Sequence, residues 1–129
     1  MPRFVEGDGS RSSRLVLVGE APGRYEDAIG KPFVGPSGQL QARFWREVGL
    51  ERSDFRIENV YPYMPPTGKI ESVSKGELAL WVNDLHDRIA TFDDPWVIVP
   101  TGNTALEALT GKRGITKHRG SIYSYTDRK

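Results

Sequence analysis

Apolar positions recur along this chain with two different periods. Arg14 to Val18 (RLVLV), Phe55 to Val60 (FRIENV) and Trp96 to Val99 (WVIV) are short apolar or alternating runs, and each predicts a strand. Behind Ser37, Leu40, Phe44 and Val48 recur every fourth residue. That spacing predicts a helix from Ser37, its cap, to about Val48, with those three on one face and Gly49 as the stop. Ser74 and Glu77 have the spacing of a capping box, and Leu78, Trp81, Val82, Leu85 and Ile89 follow as an amphipathic stripe. Gly102 to Leu109 predicts a shorter helix, with Thr101 placed to cap it and Gly111 to close it. Ser121 to Tyr125 predicts a fourth strand, at an edge. YPYMPPTGK, between the second strand and the long helix, is too rich in proline for helix or inner strand.

Strands and helices therefore alternate, and alternation of this kind calls for a parallel sheet covered on both faces. The expected architecture is a three-layer α/β/α sandwich around a four-stranded, mainly parallel sheet. Ligands of open α/β sheets bind beyond the carboxyl ends of the strands. Three loops meet that edge: the stretch from Gly19 to Gly35, Asn59 with the proline loop, and Pro100-Thr101-Gly102.

Composition narrows the chemistry. The 129 residues are about the size of one domain, and the whole chain, 1–129, is read as one. There is no cysteine, which excludes disulfides, thiolate metal sites and a cysteine nucleophile within it. The first fourteen residues have no apolar core and do not read as a signal peptide. No apolar run approaches the roughly 20 residues that span a membrane, so a cytoplasmic protein without a membrane partner is expected. Net charge is only +1, but Lys112, Arg113, Lys117, Arg119, Arg128 and Lys129 stand against Asp127 alone in the last eighteen residues. Such a patch suits a polyanion, or it is simply a solvated tail.

The most informative string is GEAPGRYEDAIGKPFVG, Gly19 to Gly35. It places Glu20, Glu26 and Asp27 among glycines and prolines and carries one phenyl ring, Phe33, near its end. GEAPG by itself is a tight turn whose glycines let backbone N–H groups face a ligand. The longer pattern adds Gly38-Gln39-Leu40, Gly49-Leu50, Asn59-Val60 with Pro65-Pro66, Pro100-Thr101-Gly102-Asn103-Thr104-Ala105 and Arg119-Gly120. Together these resemble the uracil-DNA glycosylase superfamily, most closely its family 4, over nearly the whole chain.

That resemblance implies an enzyme of base excision repair that hydrolyses the bond between uracil and deoxyribose in DNA, with the base flipped into a pocket. It makes Phe33 the residue on which uracil stacks, although a phenyl ring plugging the core is the plainer alternative. Asn59 matches the asparagine that reads the base. An amide donates and accepts, so it can pair with uracil N3–H and O4 together. Glu26 matches the carboxylate linked to water activation, and Glu20 lies in the same loop. Gly19 and Gly23 give close backbone approach. Pro65 and Pro66 resemble the loop that pinches the DNA backbone, and Lys117 and Arg119 are the basic residues placed to meet DNA.

Two features depart from the family. Its usual iron–sulfur cluster rests on four cysteines, and Tyr63 stands where one of them precedes the Pro-Pro pair. The cluster is expected to be absent, with packing of Tyr61, Tyr63 and Met64 holding the loop. The family's late His-Pro-Ser or His-Pro-Ala motif, whose histidine donates toward uracil O2, is not found either. His86 reads as a helix-flank residue, and His118 lies in a basic loop. The expectation is a domain lacking its C-terminal part, with a second chain or segment supplying the motif. The alternatives are a catalytically incomplete DNA- or uracil-binding module and an unrelated nucleotide-binding α/β domain.

Overall fold

The computed structural model describes residues 1–112 and Tyr125. Among these, three strands form one sheet: β1 (Leu15–Gly19), β2 (Phe55–Asn59) and β3 (Val97–Pro100), in the order β2-β1-β3. Both pairings are parallel, with Leu17 opposite Ile57 on one side and Val99 on the other. The fourth strand expected from Ser121 to Tyr125 lies outside the described residues, apart from Tyr125 itself.

Alternation along β1 sorts the core into two layers. Val16 and Val18 face one way, into a cluster with Val60, Leu85, Ile89, Phe92, Ala105 and Ala108. That layer is roofed by α3 (Lys75–Ala90) and α4 (Asn103–Thr110). Leu17 faces the other way, with Phe55 and Ile57, and there Trp45 of α2 (Pro36–Glu47) packs on Phe55 with ring centroids 4.6 Å apart. The three-layer α/β/α arrangement is therefore present.

The long amphipathic stripe holds: Leu85 and Ile89 are buried, and Leu78 and Val82 pack at the margin. Only half of the capping box forms. The Ser74 hydroxyl accepts from the Glu77 N–H at 3.2 Å, while the Glu77 carboxylate is taken by the Tyr61 hydroxyl at 2.7 Å. His86 on the flank of the stripe is buried, with Nε2 2.8 Å from the Ala108 carbonyl and Nδ1 2.6 Å from the Tyr125 hydroxyl.

The α2 face is a correction. Leu40, Phe44 and Val48, expected inside, are 48%, 57% and 74% exposed. The helix starts two residues early, with Gly35 rather than Ser37 as cap and Pro36 in the first turn, so Ser37 lies inside it. Gly38 then sets the rotation: a Cβ there would lie 2.4 Å from the Phe33 carbonyl oxygen. Gly38 must face the core, Trp45 follows two turns later on the same side, and the Leu40 row points away.

Charge is buried as well as hydrocarbon. Glu58 on β2 is 1% exposed, and its carboxylate accepts from Arg56 at 2.8 Å and from Arg88 at 2.6 Å. On the outer side of β2, Asp8 exchanges two backbone hydrogen bonds with Ile57, at 2.9 and 2.7 Å. The N-terminal segment thus covers the edge of the sheet.

Candidate active site

Gly19 and Asn59 end β1 and β2 side by side, in register. Beyond them the chains stay fastened: Val60 N–H donates to the Gly19 carbonyl and Tyr61 N–H to that of Glu20, each at 2.9 Å. Phe33 comes to this rim from the loop ahead of α2. A Cβ built on Gly19 would lie 2.6 Å from Asn59 Oδ1 and 2.6 Å from Phe33 Cζ. An amide and the edge of a phenyl ring therefore converge over a residue that can only be glycine.

Asn59 is 6% exposed. No hydrogen bond joins its amide to another described residue, and no fully buried side-chain nitrogen or oxygen among these residues lacks a partner. The amide accordingly opens onto the rim, where donor and acceptor are both available. Its backbone is fixed from behind, since Arg88 Nη1 donates to the Asn59 carbonyl at 3.0 Å and Nη2 to that of Val60 at 3.3 Å.

Phe33 stands between the core and the rim. Its half-buried ring packs against the cluster of Leu17, Phe55 and Ile57 while its edge reaches Gly19. Its backbone has φ +56°, a left-handed conformation unusual for a residue other than glycine. The neighbours that hold it were not foreseen. Arg52 Nη1 donates to the Phe33 carbonyl at 3.0 Å and Nη2 to the Pro32 carbonyl at 2.7 Å. Arg52 in turn pairs with Asp8 at 2.8 Å. That hydrogen bond holds the Asp8 carboxyl below the usual aspartate range.

Glu26 sits in α1 (Arg24–Ile29), a short helix not anticipated in what read as a loop. Its Oε1 accepts from Gly23 N–H at 3.0 Å, and its Oε2 from Val34 and Gly35 N–H at 2.9 and 2.6 Å. Glu26 therefore clasps both ends of the Gly23–Gly35 loop and keeps one lone-pair position, on Oε1. Glu20 is exposed and accepts from the Thr104 hydroxyl at 2.6 Å, which ties the β1 loop to the start of α4. Thr101 does not cap that helix: its hydroxyl donates to the Val18 carbonyl at 3.1 Å, and Gly102, at φ 94°, stands at the cap.

In the proline loop, Pro65 is buried and Pro66 exposed. The Gly68 N–H donates to the Pro65 carbonyl at 2.9 Å, giving the turn its shape. Lys117, His118 and Arg119 lie outside the described residues.

Comparison with known proteins decides the family. Residues 6–127 match the model of the uracil DNA glycosylase superfamily. The chain belongs to that superfamily. It is 40% identical over 119 residues to the type-4 uracil-DNA glycosylase of Thermotoga maritima, a match covering 91% of this chain and 60% of that protein. With the type-4 enzyme of Sulfurisphaera tokodaii it shares 35% identity over 125 residues, covering 92% of this chain and 56% of the other. A DNA polymerase of Bacillus phage SP01 is 31% identical over 129 residues, which take up only 14% of the polymerase. The chain thus spans just over half the length of the two glycosylases.

Membership brings back the iron–sulfur cluster that the resemblance implied. The residues present do not fit one. The chain has no thiolate to offer, and Tyr63, at the position before the Pro-Pro pair, is packed among rings. Its centroid lies 5.5 Å from Phe4, 5.8 Å from Tyr61 and 6.0 Å from Trp81, all close to edge-to-face. The loop-holding role expected of Tyr61, Tyr63 and Met64 falls to this aromatic box, which includes Phe4 and Trp81. Burial, reinforced by the bond to Glu77, pushes the Tyr61 hydroxyl up to about 12.

Proposed function

We propose that this superfamily member recognises uracil in DNA and hydrolyses its N-glycosidic bond, as the glycosylases it resembles are named for doing. The observation that carries the reading is the meeting of the Asn59 amide and the Phe33 ring over Gly19. A flipped uracil stacked on Phe33 would present its N3–H and O4 edge to Asn59. Cytosine, with an amino group at C4 and an unprotonated N3, presents the opposite pattern.

When the bond between N1 and C1′ breaks, its electron pair leaves with the base. Positive charge grows on the sugar, and water then delivers hydroxide to C1′ and a proton to uracil. Glu26, with three backbone donors fixing its orientation, has its remaining Oε1 position for that water. Glu20 adds a second carboxylate on the sugar side. Pro66 of the proline loop meets the DNA backbone beside the flipped nucleotide, and Lys117 and Arg119 add charge to that contact.

The donor to uracil O2 has no counterpart in the sequence, where neither histidine precedes a proline. We assign it to a second chain or segment carrying the His-Pro-Ser/Ala motif. One absent donor of this kind lowers a rate by about a hundred- to a thousand-fold.

Uracil excision from a single-stranded oligonucleotide at high protein concentration tests this reading. The assay is run with and without a peptide bearing the motif, and with Asn59→Ala as control. Excision that the peptide raises and Asn59→Ala abolishes is the expected result. Binding of the oligonucleotide without excision in either arm would replace the enzyme by a binding module. The polymerase match favours that second reading, because there a similar stretch lies within a much larger protein.

A further inference from the structure

Phe33 is held in a backbone conformation that it would not adopt unaided. A non-glycine residue at φ +56° persists only where its surroundings over-determine it. Arg52 belongs to the single helical turn Arg52–Asp54 just ahead of β2. Two arms of its guanidinium take successive carbonyls, those of Pro32 and Phe33, at 2.7 and 3.0 Å. The same fork turns back to Asp8, with Nε and Nη2 at 3.2 and 2.8 Å from Oδ2. Asp8 is itself bound through its backbone to Ile57 of β2. A continuous chain of bonds therefore runs from the central sheet, through Asp8 and Arg52, to the carbonyl of the stacking residue.

We propose that Arg52 is a positioning residue for base recognition, one that fixes the Phe33 platform through its backbone and touches no part of the base. The proposal rests on the reading of Phe33 as the surface on which uracil stacks. Arginine suits the task because its planar fork can serve two carbonyls and a carboxylate at once, which a lysine ammonium at the end of a flexible stem cannot. Arg52 and Asp8 are both partly exposed, so removing the pair leaves no stranded charge in the core.

The test uses the whole chain and two labelled single-stranded oligonucleotides, identical except for one uracil or one cytosine. Affinities are measured for wild type, Arg52→Ala, Arg52→Lys and Phe33→Ala, well below each melting midpoint. Arg52→Ala is expected to lose about tenfold or more of its affinity for the uracil strand, the scale of a lost base stack. Affinity for the cytosine strand should barely change. Millimolar guanidinium, far below denaturing concentrations, should restore uracil binding to Arg52→Ala, whereas equal tetramethylammonium should not. A structural weakening alone would not respond to that distinction.

Full uracil preference in folded Arg52→Ala would overturn the proposal, as would a loss that guanidinium leaves untouched. If Arg52→Ala fails to fold, Arg52→Lys decides: loss of the preference supports the proposal and its retention ends it. Should Phe33→Ala keep the full preference, the platform reading itself fails. Should Phe33→Ala lose it while Arg52→Ala keeps it, only the role given to Arg52 is lost.

Discussion

Asn59 and Phe33 reach the same point over Gly19 from two different kinds of backbone. Asn59 ends a strand with neighbours on both sides, β1 on one and the Asp8 bridge on the other. Its carbonyl is taken by Arg88, which also neutralises the buried Glu58. Phe33 stands in a loop, at a positive φ, with no ladder to hold it. Glu26 clasps the residues after it, Arg52 its carbonyl, and α2 approaches its backbone at Gly38. The amide that would read the base is therefore placed by the sheet and by buried charge. The ring that would support the base is placed by single side chains, each removable without dismantling the core.

The largest effect should fall on the Asn59 side. Glu58→Ala leaves Arg56 and Arg88 without the carboxylate that they share, and breaking a buried pair in this way costs about 3–5 kcal/mol. Urea denaturation should show it as a lower midpoint. If Glu58→Ala unfolds at the wild-type midpoint, the sheet side is not held by its charges and the contrast collapses. Gly19→Ala strikes both sides at once, since its methyl group meets Asn59 and Phe33 together. Uracil-strand affinity should fall to that for the cytosine strand, because the two groups can no longer close on one base.

Glu26→Ala acts on the loop alone. It frees three backbone N–H groups near the surface, at about 1 kcal/mol each or less. The melting midpoint should fall by about ten degrees or less, with uracil affinity approaching that for the cytosine strand. Equal losses in stability and affinity would mean that the loop is part of the core rather than clasped onto it.

The smallest effects are in pH, and they fall at opposite ends of the scale. The folded-state pKa of Asp8 is lowered from 3.8. Its contribution is complete above that value and is lost as pH falls through the folded pKa, so Asp8→Asn should flatten the acid side of the stability profile. Tyr61 is raised from 10.0 to about 12. Its contribution is complete below pH 10 and disappears as pH rises toward 12, so Tyr61→Phe should flatten the alkaline side. Exchange of these two assignments in the measured profiles would contradict the hydrogen bonds described.

The sheet and the meeting of Gly19, Phe33 and Asn59 were legible in the sequence, the first because strand and helix periods differ, the second because the motif is long. The rotation of α2 was not. Its most regular apolar row, Leu40, Phe44 and Val48, faces outward because the approach of Gly38 to Phe33 outweighs the hydrophobic pattern. Helix α1 was missed because glycines and acids there read as loop, although Gly23 and Glu26 cap it. Arg52, Asp8 and Arg88 act across separations that periodicity cannot register. The one local hint was Glu58, a carboxylate among the inward positions of FRIENV that demanded cationic partners.

The box of Phe4, Tyr61, Tyr63 and Trp81 has a further consequence. Edge-to-face rings have no inorganic core to lose. An iron chelator would find nothing to act on among them. The proline loop beside them is held by this ring packing, by the Tyr61 hydroxyl on Glu77 and by the Gly68–Pro65 turn, none of which draws on iron.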